Sequence, residues 1–379
     1  MRWRNALGAS TCADGEDLIV KAAVFRRGSI VVDTLPDPVP APGQVLVRTA
    51  ACGICGSDLH AAKHTQQFAD LSRRAGARWA MDPDRDVVFG HEFCCQVMEY
   101  GPDTQRRLAP GTLVCSMPMT LAGETVLGIG YNNEVAGGFA QYMPLAERAL
   151  LTVPNGLTAS KAALTEPIAV GWHAVQNARL TAEDVPLVVG CGPVGLAVIA
   201  GLAIKDLHPI IAADYSPARR DLAVKMGADI VIDPAATSPY ATWRHEATPA
   251  GYDGSRYAQM YGLSPKLPPA VIFECVGVPG VIQQIMEGAP ASARIVVVGV
   301  CMETDPIEPF FGISKQLNLQ FVLGYTGAEF ADSLHHIAEG RVDVSPLITW
   351  TVGLADVSNA FAVLANPGQH AKVLVEPWG

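Results

Sequence analysis

Positive charge is in short supply in this 379-residue sequence: 27 Lys and Arg stand against 37 Asp and Glu, a formal charge of −10. That balance excludes the basic footprint of a general nucleic-acid binder and the basic amphipathic face of a membrane-surface helix. Charge of either sign is scarce, at 17%, while hydrophobic residues make up 49%. A disordered chain is therefore excluded and a large buried core is expected. No apolar run of about 7–15 residues follows the basic start MRWRNALGAS, so no secretory leader is expected. Internal repeats and low-complexity tracts are also missing. The nine cysteines, an odd number without the spacing of a disulfide scaffold, suit a reducing cytoplasm where thiols serve as core residues, ligands or nucleophiles. The partner expected of such a chain is a small molecule, not a nucleic acid or a membrane.

One uncharged run, Val185–Ile204, has the length of a membrane span. Pro186, Pro193 and its glycines argue otherwise, and it divides into a buried strand LVV, a turn GCGPVG and a buried helix LAVIAGLAI. Residues 1–20 read as an N-terminal extension. Residues 21–150 read as short strands, among them Val45–Ala50, Val87–Phe89, Cys95–Glu99 and Leu113–Cys115, punctuated by glycine and proline as in a β-rich domain. From about Ala174 strands and helices alternate. Leu187–Val189, Ile210–Ala213, Ile230–Ile232, Val271–Phe273, Ile295–Val298 and Leu319–Leu323 are the expected strands, with helical patterns such as Ser216–Gly227 between them. This is the α/β pattern of a doubly wound parallel sheet. A last strand is expected at Ala371–Val375, and the polar stretch 243–268 reads as a surface excursion.

Gly190, Gly192 and Gly195 form G-x-G-x-x-G between an apolar strand and a helix that opens with Pro193 and Val194. The first glycine serves a tight turn, the second the approach of a pyrophosphate, the third helix–strand packing. The helix N-terminus then offers free N–H groups to the phosphates. Asp214 follows the second strand at about the expected 20 residues, where a carboxylate accepts both ribose hydroxyls and repels a 2′-phosphate. NAD is thus expected rather than NADP, with Arg219 able to soften the preference.

A second concentration of chemistry runs through CGICGSDLH (Cys52–His60), GHE (Gly90–Glu92) and TEP (Thr165–Pro167). Thiolate, imidazole and carboxylate are the ligand set of a catalytic zinc with one open position. Together with LTEPIAVGWHA, VVGCGPVG and HAKVLVEP, these segments resemble the zinc-dependent medium-chain alcohol dehydrogenases, and the Glu of LTEP resembles the polyol and threonine dehydrogenase branch. The resemblance runs in order from about residue 21 to the end of the chain. It implies a GroES-like β-rich catalytic domain, residues 21–174 and 324–379, around a Rossmann NAD-binding domain, residues 175–323. It further implies Cys55, His91 and Glu166 as zinc ligands, Glu92 as a carboxylate that binds the metal directly in some members, and Asp58 as the group orienting the His91 ring. Ser57 and His60 match the proton relay, Lys372 a basic residue at the cofactor phosphates, and Gly299–Val300 the strand end beside the nicotinamide. One catalytic zinc and NAD are the implied cofactors.

The pattern is not followed throughout. Many relatives hold a second, structural zinc with four cysteines, but only Cys94, Cys95 and Cys115 lie between His91 and Gly138, so that zinc is not expected and these cysteines read as core residues. Cys52 reads as a buried strand residue and Cys191 as a packing choice. The segment between Cys55 and His91 is long and carries Arg73, Arg74, Arg78, Trp79 and Arg85. It reads either as a solvated loop or as a roof admitting a larger or negatively polarised substrate, with Tyr131–Glu134 as a second rim. Three functions are open: an alcohol dehydrogenase acting on a secondary alcohol or polyol, a zinc-free quinone or enoyl reductase, and a non-catalytic NAD-binding redox sensor. The apolar edge strand Leu319–Leu323 suits a homodimer or homotetramer.

Overall fold

In a computed structural model of the chain, the described residues are 20–77, 81–123, 125–248, 267–365, 368 and 370–379. The expected N-terminal extension lies outside them except for Val20, as do Arg78, Trp79 and residues 249–266 of the expected excursion.

The first half begins with the hairpin β1 (Val20–Arg26) and β2 (Ser29–Leu35), followed by the long β3 (Gln44–Gly53). Two helices come next, α1 (Gly56–Lys63) and α2 (Thr65–Arg74), the second inside the segment that reads as a solvated loop or a roof. Strands β4 (Glu92–Tyr100), β5 (Leu113–Ser116), β6 (Met119–Ala122), β7 (Thr125–Gly128), β8 (Tyr142–Ala146) and β9 (Leu150–Thr152) follow. Val87, expected in a strand, makes only an isolated bridge to Phe25. The short helix α3 (Ala159–Ala162) and the longer α4 (Thr165–Asn177) lead into the second half.

There β10 (Val185–Val189), α5 (Pro193–Ile204), β11 (Ile211–Ala213), α6 (Pro217–Lys225), β12 (Ile230–Ile232) and α7 (Pro239–Ala247) alternate. Then come β13 (Ala270–Glu274), α8 (Val281–Gly288), β14 (Arg294–Val297), α9 (Pro309–Lys315), β15 (Asn318–Phe321) and α10 (Gly327–Ala338). The sheet is parallel with order β12-β11-β10-β13-β14-β15, a doubly wound arrangement that reverses direction between β10 and β13. The inner strands β10, β11 and β13 are legible because both faces are covered, so they read as near-continuous apolar runs. Proline at the first helical position starts α5, α6 and α7, and Ser216 and Ser238 cap the last two by accepting from the N–H of Arg219 and Ala241. Trp243 corrects the excursion reading at its start. It is buried in the sheet's core on α7, and its Nε1–H donates to the carbonyl of Val185 at 3.0 Å.

The chain closes with β16 (Ile348–Val352), α11 (Val357–Leu364) and β17 (Lys372–Val375). These return to the first half, where the sheet order is β16-β17-β3-β4-β5-β9 and β8 also pairs with β3. One length of β3 therefore serves three neighbours: residues 44–48 face β8, Cys52 and Gly53 face β17, and β4 lies along the other side. Phe25, Phe89, Phe139 and Phe361 fill the core of this β-rich unit. By internal contacts the chain divides into residues up to Glu166 with Phe330–Gly379, and Pro167–Glu329. The sequence suggested 174 and 323 as limits; the division falls inside α4 and α10 instead. Among the described residues no helix is long and apolar enough to cross a membrane.

Candidate active site

In the β-rich unit three strand ends converge. Gly53 at the end of β3 pairs with Glu92 at the start of β4, and with Leu374 of β17 on the other side. The chain leaving β3 thus delivers Cys55 to the start of α1, while the chain entering β4 delivers His91. Cys55, His91 and Glu92 each offer a ligand atom within 4.8 Å of the others, the one such group of three or more among the described residues. One sulfur, one imidazole nitrogen and one carboxylate oxygen, mostly shielded from water, match the donors of a catalytic zinc.

Glu166, at the start of α4, is buried but lies outside that group. Lys372, which the resemblance sets at the cofactor phosphates, is buried beside Glu92. Its Nζ lies 2.6 and 2.8 Å from the two Glu92 oxygens and 3.3 Å from the Ile54 carbonyl, so its three protons are engaged. A buried ammonium needs such partners. Burial pulls the Lys372 ammonium down, but Glu92, Cys55 and Glu166 together raise it above its ordinary value.

Asp58, fully buried on the first turn of α1, ties the site together. One of its oxygens, Oδ2, accepts the N–H of Cys55 at 3.0 Å, while Oδ1 lies 3.3 Å from His91 Nδ1, without the alignment of a full hydrogen bond. Burial pulls the His91 imidazole down, but Asp58 and Cys55 lift it well above its ordinary value. Ser57 and His60 stand one turn apart on α1. Burial, then His64 and Lys63, hold His60 below its ordinary value.

Tyr131, which the sequence marked only as a rim, reaches this cluster. Its Oη lies 2.8 Å from Ser57 Oγ and 3.0 Å from Asp58 Oδ1, and its ring sits 5.2 Å from that of His91. Burial, with the Asp58 charge behind it, raises its hydroxyl well above the ordinary phenol value. Of the segment 61–87, which reads from sequence as a solvated loop or a roof, the part up to Arg74 is taken up by the end of α1 and by α2, and Phe68 of α2 packs on Tyr131 at 5.2 Å. Arg73 pairs with Asp70 of its own helix and Arg85 with Glu134, so neither is an uncommitted cation.

Cys94 and Cys115 face each other across β4 and β5, and both are fully buried beside Cys95. The Cys115 thiol donates to the Ala162 carbonyl at 3.2 Å. Contact with Cys115 and burial push the Cys94 thiol up, and burial does the same to Cys95, the state of core residues rather than thiolates.

The second unit carries the glycine turn. Gly190 takes a φ of +93° directly after β10, and its N–H donates to the Ala213 carbonyl. A side chain at Gly195 would collide with the Gly190 carbonyl, whereas at Gly192 it would meet nothing within 4 Å. The turn is thus packed from within and open where a pyrophosphate needs close approach, with Pro193 and Val194 in the first turn of α5. Asp214 accepts the N–H of Cys191 at Oδ2 and of Ser216 at Oδ1, both at 2.8 Å, and Arg219 Nη1 lies 3.8 Å from its Oδ2. At the ends of β13 and β14, Gly277, Gly299 and Val300 line a cavity with the buried Glu274.

Two family models match in tandem: an alcohol dehydrogenase GroES-like domain over residues 41–155 and a zinc-binding dehydrogenase over 193–339. The (R,R)-butanediol dehydrogenase of Bacillus subtilis is 28% identical over 94% of this chain and all of its own length. The erythritol/L-threitol dehydrogenase of Mycolicibacterium smegmatis is 34% identical over 52% of this chain and 57% of its own. The crystal structure of 2R,3R-butanediol dehydrogenase from B. subtilis superposes with a TM-score of 0.74 at 28% identity, covering 94% of this chain and 99% of its own. A protein from Sinorhizobium meliloti 1021, solved bound to NADP, gives 0.76 at 26%, covering 95% and 100%.

Proposed function

The chain belongs to the zinc-dependent medium-chain alcohol dehydrogenase superfamily, related to its polyol and threonine dehydrogenase branch, and on that premise we propose that it moves a hydride between a secondary alcohol or polyol and NAD. The observation that carries this reading is the meeting of Cys55, His91 and Glu92 within 4.8 Å. Relatives named for butanediol, erythritol and threitol make a vicinal diol the first substrate to test.

Zinc, when bound, supplies a Lewis acid that lowers the pKa of a hydroxyl. Cys55 and His91 would hold it, with Glu92 or Glu166 as the third ligand. Asp58 fixes the orientation of the His91 ring from behind. Ser57 takes the proton of the substrate hydroxyl on Oγ as it gives up its own, and His60, held below its ordinary value by burial, His64 and Lys63, would pass a proton on toward solvent. On the cofactor side, Gly192 leaves room for the pyrophosphate and Asp214 receives the ribose hydroxyls, favouring NAD. Arg219 beside it softens that preference, and Gly299 and Val300 bound the nicotinamide end.

A homodimer or homotetramer completes the proposal. Phe310 and Ile313 on α9, with Phe321 and Leu323 at the β15 edge, are all exposed apolar side chains on one border of the sheet. A zinc-free quinone or enoyl reductase has no use for Cys55, His91 and Glu92, which disfavours that reading. The test is NAD reduction against vicinal diols and secondary alcohols, with and without a chelator. Chelator-sensitive turnover is expected; turnover of quinones or enones indifferent to the chelator would overturn the proposal.

A further inference from the structure

We infer that Glu274 is a positioning residue for the nicotinamide half of the cofactor, joining the two backbone turns that bound that end. The inference rests on the proposed reading of Gly299 and Val300 as the nicotinamide boundary.

Glu274 is the last residue of β13 and is only 1% exposed. A carboxylate so buried is costly unless its oxygens find donors. Oε1 accepts the N–H of Val276 at 2.7 Å and of Gly277 at 2.8 Å, which shapes the turn leaving β13. The main-chain carbonyl of Glu274 accepts the N–H of Val298 and of Gly299, both at 2.9 Å, where the chain leaves β14. One residue thus holds the first turn with its side chain and the second with its backbone.

The two turns touch with no side chain between them. Gly277 takes a φ of +69°, and a Cβ there would meet the Val300 backbone nitrogen and oxygen at 2.8 Å. A Cβ on Gly299 would collide with the Gly277 nitrogen and with Glu274 Oε2. A shift of the Gly277 turn is therefore passed directly to Gly299 and Val300. Both turns also border a cavity, lined further by Ile282, Val297 and Phe321. On that side hydrogen bonds, more than close packing, set where the turns lie. Asp305 Oδ1 holds the far end of the first turn by accepting the Gly280 N–H at 2.7 Å.

Burial raises the Glu274 carboxyl above its ordinary value, against the pull of the Gly277 and Val276 N–H groups, and Asp305 adds to the rise. What the turn needs from this side chain is an acceptor at the right reach, which a glutamine also offers. Glu274→Gln keeps that acceptor without the charge. Glu274→Asp keeps the charge and falls one methylene short.

The experiment compares NADH with ADP-ribose, the same ligand without its nicotinamide, by calorimetric titration of the parent and both variants. The Kd for NADH should stay within about twofold in Glu274→Gln and rise about tenfold in Glu274→Asp, the scale of a lost hydrogen bond. ADP-ribose should bind all three proteins within about twofold of one another. A merely structural role would weaken both ligands equally in Glu274→Asp, and that result would overturn the inference. So would an unchanged NADH affinity in Glu274→Asp, or an equal NADH loss in Glu274→Gln.

Should Glu274→Asp fail to fold, Gly277→Ala presses on Val300 with Glu274 intact. The same selective loss of NADH is expected; no loss, or a loss shared by ADP-ribose, would overturn the inference. Binding needs no alcohol, so a failure of the proposed oxidation leaves this measurement standing. A parent that binds neither ligand would overturn the NAD reading and this inference with it.

Discussion

The Nζ of Lys372 and the carboxylate of Glu92, 280 residues apart in sequence, form a buried ion pair at 2.6 and 2.8 Å. Both side chains are almost wholly removed from water. Such a pair stabilises only as long as both partners stay, since desolvating either charge alone is costly. Lys372→Met should therefore destabilise the protein by about 3–5 kcal/mol, and adding Glu92→Gln should recover much of that loss. Urea unfolding of the two variants checks this. A loss below about 1 kcal/mol in the single variant, the scale of an exposed pair, would contradict the burial argument.

The glycine turn separates folding from cofactor binding. Gly192→Ala meets nothing in the protein, so the melting temperature should hold while the Kd for NADH rises at least about tenfold, a loss of roughly 1.4 kcal/mol. Gly195→Ala collides with the Gly190 carbonyl and should lower the melting temperature itself, by several degrees for each ~1 kcal/mol of strain. Thermal unfolding and NADH fluorescence titration read the two effects apart. Unchanged NADH affinity in Gly192→Ala would place the pyrophosphate elsewhere.

His60 sets the sign of an acid limb. Its folded value is lowered from 6.5 by burial, then by His64 and Lys63. Above 6.5 it is neutral in both folded and unfolded chains; as pH falls below 6.5 the unfolded chain takes the proton first, so stability declines toward the lowered folded value. A relay that needs neutral His60 should keep kcat up to that same point and lose it below. The acid limb of kcat is expected below pH 6.5, and His60→Gln should remove it. A limb at or above 6.5 that survives His60→Gln would exclude His60 from the relay.

Much of this arrangement is legible before any coordinates. The inner strands announce themselves as apolar runs because helices cover both sheet faces, as with Val271–Phe273 inside β13. Gly190, Gly192 and Gly195 are readable because each serves a separate steric purpose. What escapes the sequence is long-range or weakly patterned. Helix α2 (TQQFADLSRR) gathers its few apolar residues, Phe68, Ala69 and Leu71, toward one face, but it is short and mostly polar, so it reads as a solvated segment unless that face is weighed. The Lys372 pairing depends on strand register between distant segments, which no local pattern encodes. Tyr131 sits in GIGYNNE, a string that reads as a turn, and only the folded loop aims its hydroxyl at Ser57.

The central claim is that Cys55, His91 and a neighbouring carboxylate hold one catalytic zinc. Metal content of the purified protein tests it most directly, compared with that of Cys55→Ser at matched folding by circular dichroism. About one zinc per chain is expected in the parent, with loss of that zinc and of NAD reduction in the variant. A parent that carries no zinc yet reduces NAD, or a variant that keeps its zinc in full, would contradict the account.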